Sequence, residues 1–291
     1  MARRLRALGL VYLFTLSMTA CTVTSTSSHS SAAHLPASSA SRTRRKVLSP
    51  LAYARAVRTY VIAHSNVGVG LPPAIALPTT SPWLFATVSV PRLSSPYGAA
   101  GYSVTYYATR RPYPMATAPY PAIPPRAVML LQMTGQRLGH LPPRNPLRRL
   151  DYLWRFLGLG PAPGELGVGT GDPVPLPLAT GLRAVEYRTW GDTVQWVQGS
   201  WTIVFEGAGA RSGGLQAVHE VSQLLSQAPL PSFTGVVAIV FATPYQATMP
   251  TLQTDLVFVR DGDLYTLMDL GFPAEQIFHM VRILPWSRSQ G

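Results

Sequence analysis

Cysteine occurs once in this chain, at Cys21, and lysine once, at Lys46. A single cysteine excludes a disulfide scaffold. Charged residues make up only 12% of the 291 positions, roughly half the usual share, while apolar residues reach 47%. Such a chain is no polyampholytic disordered protein, because it is long and apolar enough to bury a sizeable core. Its length allows one domain of about 240 residues or two of about 120. Acidic residues number 12, and none lies before position 50.

That shortage of acid sets the formal charge of +12, which at first suggests nucleic acid or an anionic surface. Seven of the 24 cations, however, precede position 50: Arg3, Arg4, Arg6, Arg42, Arg44, Arg45 and Lys46. From Leu51 onward 17 arginines face 12 acids, a balance of only +5. The high pI belongs largely to the leader and not to the folded part. No basic stripe with interleaved aromatics accompanies the charge, so nucleic acid is not the expected partner.

Arg3, Arg4 and Arg6 precede an apolar run from Leu8 to Leu16 (LGLVYLFTL). The run is too short for a bilayer core of about 30 Å, which needs about 20 residues, and has the order of an export signal. Met18-Thr19-Ala20-Cys21 comes immediately after it. This segment resembles the lipobox of bacterial lipoproteins, with small residues at Thr19 and Ala20 before the cysteine, and Met18 where leucine is usual. The resemblance implies that Cys21 takes a diacylglyceryl group as a thioether, that cleavage precedes it, and that its amine is acylated too. Two or three acyl chains anchor a protein stably where one does so marginally. The alternative is an ordinary cleavable signal in which Cys21 is incidental. Residues 22–41 are mostly Ser, Thr and Ala and read as a flexible tether that ends in the basic cluster 42–46. That cluster either attracts anionic headgroups or is a solvated linker end. The expected organisation is a signal over 1–20, a tether over 21–48 and an ectodomain over 49–291, with possible halves at 49–158 and 172–291.

The ectodomain reads as α+β, an antiparallel sheet of hairpin–helix units with helices packed on one face. Ser49-Pro50 caps a helix over 50 to about 64, with Leu51, Ala54, Val57 and Val61 at helical spacing. Leu84–Val90, Ser103–Ala108 and Ala127–Met133 read as strands. Between them Pro112, Pro114, Pro119, Pro121, Pro124 and Pro125 exclude a regular ladder and predict a surface loop. Asn145-Pro146 opens a second helix carrying Leu147, Leu150, Trp154 and Leu157 on one face, with Gly158 at its end. The Gly/Pro-rich stretch 158–178 predicts a boundary between halves.

Two hairpins come next, Thr193–Phe205 and Leu256–Leu267, the second turning at Asp261-Gly262, a type I′ signal. Each precedes a helical pattern, Val218/Val221/Leu224/Leu225 and Ile277/Met280/Val281/Leu284. Trp196 corresponds to Phe258 and Gly199 to Gly262, as in a degenerate repeat. Val236–Phe241 is a continuous apolar run, expected of a central buried strand. The closing segment RDGDLYTLMDLGFPAEQIFHMVRIL resembles the end of a poorly characterised domain found in envelope lipoproteins and membrane-bound regulators of Gram-positive bacteria. That resemblance implies a curved antiparallel sheet with helices on its concave face, similar to that of lipoprotein carriers.

Catalytic constellations are largely missing. His219-Glu220 has the start of a zinc-protease H-E-x-x-H, but position 223 is glutamine, so no metal site is expected. The glycines at 158–164, 167–171 and 209–213 fit neither a dinucleotide loop, a P-loop nor a nucleophile elbow. Asp255, Asp261, Asp263 and Asp269 cluster in sequence and offer paired carboxylates for a cell-wall hydrolase, although Asp261 and Asp263 suit a plain turn. Trp196, Trp201, Phe258 and Tyr265 form either a ligand platform or the core face of the sheet. Among the loop tyrosines, Tyr113 and Tyr120 suit a contact surface. Arg148, Arg149 and Arg155 make the 146–157 helix basic on its polar side, fit for anionic lipid or merely solvated.

The expected protein is therefore a lipid-anchored extracytoplasmic binding module with no catalytic residue, metal or cofactor. Its expected partners are the membrane through Cys21 and an envelope protein or apolar ligand met at Trp196, Trp201, Tyr113 and Tyr120. A cell-wall hydrolase or a structural or sensory module are the alternatives. Replacing Cys21 with Ala is expected to abolish metabolic labelling with palmitate and to release protein or leave precursor uncleaved; unchanged membrane retention defeats the lipid anchor.

Overall fold

The computed structural model describes residues 48–90, 101–117, 122–159, 173–178, 181–187, 192–207, 213–242, 251–269 and 272–287. Lys46–Gly291 forms one compact unit. Among the described residues it is a mixed α+β structure with a large, mostly antiparallel sheet. Four helices accompany ten strands: α1 (Pro50–His64), β1 (Trp83–Ser89), β2 (Gly101–Thr109), β3 (Val128–Arg137), α2 (Pro146–Trp154), β4 (Val174–Pro177), β5 (Arg183–Tyr187), β6 (Thr193–Gln198), β7 (Trp201–Glu206), α3 (Gly214–Gln227), β8 (Thr234–Ala242), β9 (Thr251–Arg260), β10 (Asp263–Asp269) and α4 (Ala274–Ile283). The strand order is β1-β2-β3-β10-β9-β8-β7-β6-β5-β4. Every neighbouring pair is antiparallel except β7 and β8, which α3 connects as a parallel crossover.

The local signals account for most of these elements. The Ser49 hydroxyl accepts the Ala52 N–H, Pro50 starts α1, and Tyr53, Ala54, Val57 and Val61 form its buried stripe. Asp261 and Gly262 both adopt positive φ, 53° and 84°, as the type I′ turn between β9 and β10 requires. The 158–178 stretch behaves differently from its expectation. Its last residues form β4, an edge strand in which Pro175 and Pro177 face Val185 and Arg183. Proline cannot donate to a ladder, so it survives at an edge and there blocks further pairing. The stretch does not divide the sheet, because β3 of the first half pairs directly with β10 of the second. The opposite edge is guarded by the proline-rich segment: Ala116 exchanges backbone hydrogen bonds with Val88 and Ala86 at 2.8 and 3.0 Å.

Strand alternation assigns two faces to the sheet. One carries a row of residues in register across all ten strands: Leu176, Ala184, Trp196, Ile203, Val237, Leu256, Leu267, Met133, Val104 and Val88. The buried faces of α1, α3 and α4 join this core. The expectation that helices pack on one face is corrected by α2. Its Leu150, Leu153 and Trp154, with Leu157 just beyond, pack on the other face against Val204, Val236, Ala238, Val257 and Leu264. The reason lies in the central strands. A continuous apolar run such as Val236–Ile239 sends side chains to both faces, and each needs cover from water.

A second row, one step along the strands on the α1/α3/α4 face, alternates rings with glycine: Trp201, Gly235, Phe258, Tyr265, Gly135, Tyr102. A Cβ on Gly235 would come within 2.4 Å of the Trp201 indole, and one on Gly135 within 2.5 Å of the Tyr102 ring. The rings therefore occupy the space that side chains at these positions would fill. Phe258 and Tyr265 stack at 5.5 Å, and Trp286 meets Tyr265 edge-on at 4.7 Å. Gly235→Ala is expected to cost about 2 kcal/mol through overpacking. In a Trp201→Leu background, where the indole is gone, the same change is expected to cost less, the remainder coming from the 2.8 Å approach of that Cβ to the Val257 carbonyl. A double-mutant cycle by urea unfolding checks this, and additive losses count against the ring–backbone contact.

Candidate functional site

The β6–β7 turn, Gly199-Ser200, brings Trp201 to the start of β7 beside the segment immediately after α3. That segment, 228–233, is APLPSF, and its prolines end the helix and hold an irregular path over the ring row. The Trp201 indole N–H donates to the Pro231 carbonyl at 2.7 Å, and the Ser200 hydroxyl donates to the Phe233 carbonyl. The Gln198 amide reaches the Ser226 hydroxyl at 3.3 Å from the other side. Between turn, helix and segment lies a cleft of about 220 Å³. Trp201, Ile203, Leu225, Pro229, Leu230 and Pro231 supply its apolar wall, and Gln198, Ser200 and Ser232 its polar groups.

A second cleft, of about 370 Å³, separates Pro72, Pro73, Ala74 and Ala76 from α4. Phe272, Met280 and Ile283 are its apolar members; Glu275, Gln276 and His279 bring polarity. Neither cleft is lined by an aspartate, and only Glu275 contributes a carboxylate.

The fold divides the aspartates read from the sequence between the two ends of β10, Asp261 and Asp263 at its start and Asp255 beside Asp269 at its end. Asp261 stands exposed on its turn and pairs with Arg260 at 3.1 Å. Asp263 is buried on the other side of that turn, where it accepts the Gly68 N–H at 3.2 Å and lies 3.7 Å from the Arg137 guanidinium. Asp255 and Asp269 are both fully buried. The Asp255 carboxylate accepts the Asp269 N–H at 3.1 Å and the Gln253 amide at 2.9 Å, while Asp269 accepts the Phe272 N–H at 3.0 Å, just before α4. These are the bonds of a structural bracket at the end of β10. Burial pushes the Asp255 carboxyl up to about 6, against the opposing pull of those two donors. Burial also raises Glu206, on β7.

The fold gives the other singled-out residues different settings. Trp196 and Trp201 are each 2% exposed and belong to the core, although Trp201 also walls the smaller cleft. Tyr113 is half-buried with its ring edge toward Phe85 at 6.1 Å. Tyr102, Tyr106 and Tyr107 are buried in the sheet. Cys21, Tyr120 and the 167–171 glycines lie outside the described residues. His219 and Glu220 sit on α3, where Glu220 accepts from Gln216 at 2.8 Å. Among the described residues no three metal-binding side chains converge. Leu225 enters the sequence reading only as an apolar position of the α3 pattern, and Leu230 and the flanking prolines, which complete the cleft, are not singled out by it. The Pro-Leu-Pro break after a helix is the one local signal that marks them.

A carboxyl held above its unfolded value binds its proton more tightly in the folded state. Its stabilising contribution is therefore present below about pH 4 and lost as pH rises through about 6. Asp255→Asn is expected to flatten this decline in unfolding free energy, leaving the smaller slope of the same sign from Glu206. Urea midpoints across that range, compared with the unchanged chain, provide the check; identical slopes overturn it.

No protein-family model matches this chain, no curated protein matches it, and no solved structure matches its fold.

Proposed function

We propose that this chain is an extracytoplasmic module, anchored in a membrane through lipid on Cys21, that binds an apolar group of an envelope partner without catalysing a reaction. The observation that carries the binding half is the cleft beside Trp201. A hydrolase acting through paired carboxylates needs two of them converging on one cavity. A binding module needs an apolar recess with a few polar groups to orient its occupant. The Trp201 cleft has the second character. At about 220 Å³ it lies below the ~300–1,000 Å³ of sites that enclose a whole small molecule. It suits one aliphatic side chain of a partner protein or the end of an apolar chain.

The anchoring half rests on the basic, apolar and small-Cys order over residues 3–21. We further infer that β6–β7–α3 and β9–β10–α4 are two copies of one hairpin–helix unit. Both hairpins turn on a positive-φ glycine, Gly199 and Gly262, and both helices pack on the same face of the sheet. The units diverge beyond their helices: α3 leads into the parallel strand β8, and no strand comes after α4 among the described residues.

The experiment is native mass spectrometry of the chain purified gently from its own host, beside a Leu230→Asp variant that puts a charge on the half-buried cleft wall. An adduct of apolar mass that is lost at least tenfold in the variant, at unchanged melting temperature, supports ligand binding. If the chain is bare, a photocrosslinker at Ser232 is expected to trap a partner peptide that Leu230→Asp no longer traps. An adduct or crosslink indifferent to Leu230→Asp, or neither of the two, defeats the reading.

A further inference from the structure

The chain carries no carboxylate before Asp151. Ahead of and around that residue the excursion from the end of β3 through α2 concentrates positive charge. Arg137, Arg144, Arg148, Arg149 and Arg155 fall within it, and Asp151 is its single acid. No other stretch of the described residues gathers arginine to this degree.

The fold decides which way these groups are turned. Leu150, Leu153 and Trp154 are committed to the sheet. The arginines at 144, 148 and 155 are left exposed on the outer side. Just before α2 the chain exposes Leu141 to 73%, the most exposed of the large apolar side chains that the structure describes. Pro142 and Pro143 come next and stiffen the loop on which it stands. Arg137 is not part of this surface: it lies two residues beyond Gly135 on the α1/α3/α4 face, 3.7 Å from Asp263 and donating to the Asn66 carbonyl at 3.4 Å. An exposed leucine followed by exposed arginines at 144, 148 and 155, on and around a helix whose apolar face is already used, is a surface for anionic headgroups with a shallow apolar anchor.

We propose that the outer face of residues 141–155 docks onto an anionic lipid bilayer and orients the sheet against it. The choice of a bilayer over a soluble polyanion rests on the proposed membrane anchor at Cys21; the charge and the exposed leucine do not depend on it. Each arginine at such a surface contributes about fivefold to membrane partitioning, so removing three weakens it about a hundredfold. The attraction is electrostatic and fades when salt shortens the screening length.

The test uses the full chain with Cys21→Ser and Leu141→Cys, so that one thiol carries an environment-sensitive fluorophore and no lipid is attached. A sister protein carries the label at Gln227 instead, an exposed position on α3. Vesicles rich in phosphatidylglycerol are expected to shift the position-141 label to the blue and expose it to a lipid-borne quencher, with no such change at 227. Phosphatidylcholine vesicles or high salt are expected to remove the effect, and Arg144→Gln/Arg148→Gln/Arg155→Gln to weaken it about a hundredfold. Equal responses at 141 and 227 overturn the proposal. So does a response at 141 to polyphosphate that vesicles do not reproduce, which points to a soluble polyanion. Should the triple variant unfold, the single variants Arg144→Gln and Arg148→Gln decide instead, each expected to weaken the response at 141 about fivefold. Since no lipid is attached to this protein, failure here is separate from failure of the anchor at Cys21.

Discussion

The Trp201 indole and the Tyr102 ring rest against backbone at Gly235 and Gly135, closer than any Cβ would permit. This close approach fixes the relation of six strands. The row Trp201, Gly235, Phe258, Tyr265, Gly135, Tyr102 works only in one register, because a slip by one residue moves every ring to the opposite face. The neighbouring apolar row, unbroken from Leu176 to Val88, then falls under α1, α3 and α4. The ring row also supplies the seat for Trp286, which bridges to Gly70 and lies under the Arg260 guanidinium at 4.4 Å. The last described residues are thereby held to the segment after α1.

The smaller cleft is a by-product of the same constraint. The Trp201 ring covers Gly235, and its indole N–H finds its acceptor in Pro231. The Pro-Leu-Pro segment is drawn across the ring and leaves a recess between itself and α3. Polar groups of the sheet meet a different fate. Asp263 and the Asp255–Asp269 bracket satisfy backbone donors at the two ends of β10, where loops would otherwise bury N–H groups without partners. Their chemistry is absorbed by the fold, which leaves the recess apolar.

Much of the secondary structure was legible because it is encoded over short distances. Ser49-Pro50, Asp261-Gly262 and the alternation of Leu84–Val90 act within a few residues, and the structure places α1, the β9–β10 turn and β1 there. Two expectations failed for reasons of distance. The Gly/Pro-rich stretch contains an edge strand, since the prolines of Val174–Pro177 are compatible with pairing on one side only, and nothing local reveals that a neighbour is missing. The helices were expected on one face, yet α2 takes the other. The need for it arises from Val204, Val236, Val257 and Leu264, which become one patch only when four strands are aligned.

The candidate site divides along the same line. Sequence alone singled out Trp201 as an aromatic on a short hairpin, and Cys21 by its position after a basic and apolar leader. It grouped four aspartates that are neighbours in the chain. Only the tertiary structure set Asp255 against Asp269 and away from Asp261, joined Trp201 to Leu225 and Leu230, and left Arg148 of α2 exposed while burying Leu150 and Leu153. Caps, turns and periodicity are local and so are written in consecutive residues. Clefts, faces and charge surfaces depend on the register between distant strands, a property of pairs that no single stretch of this sequence carries.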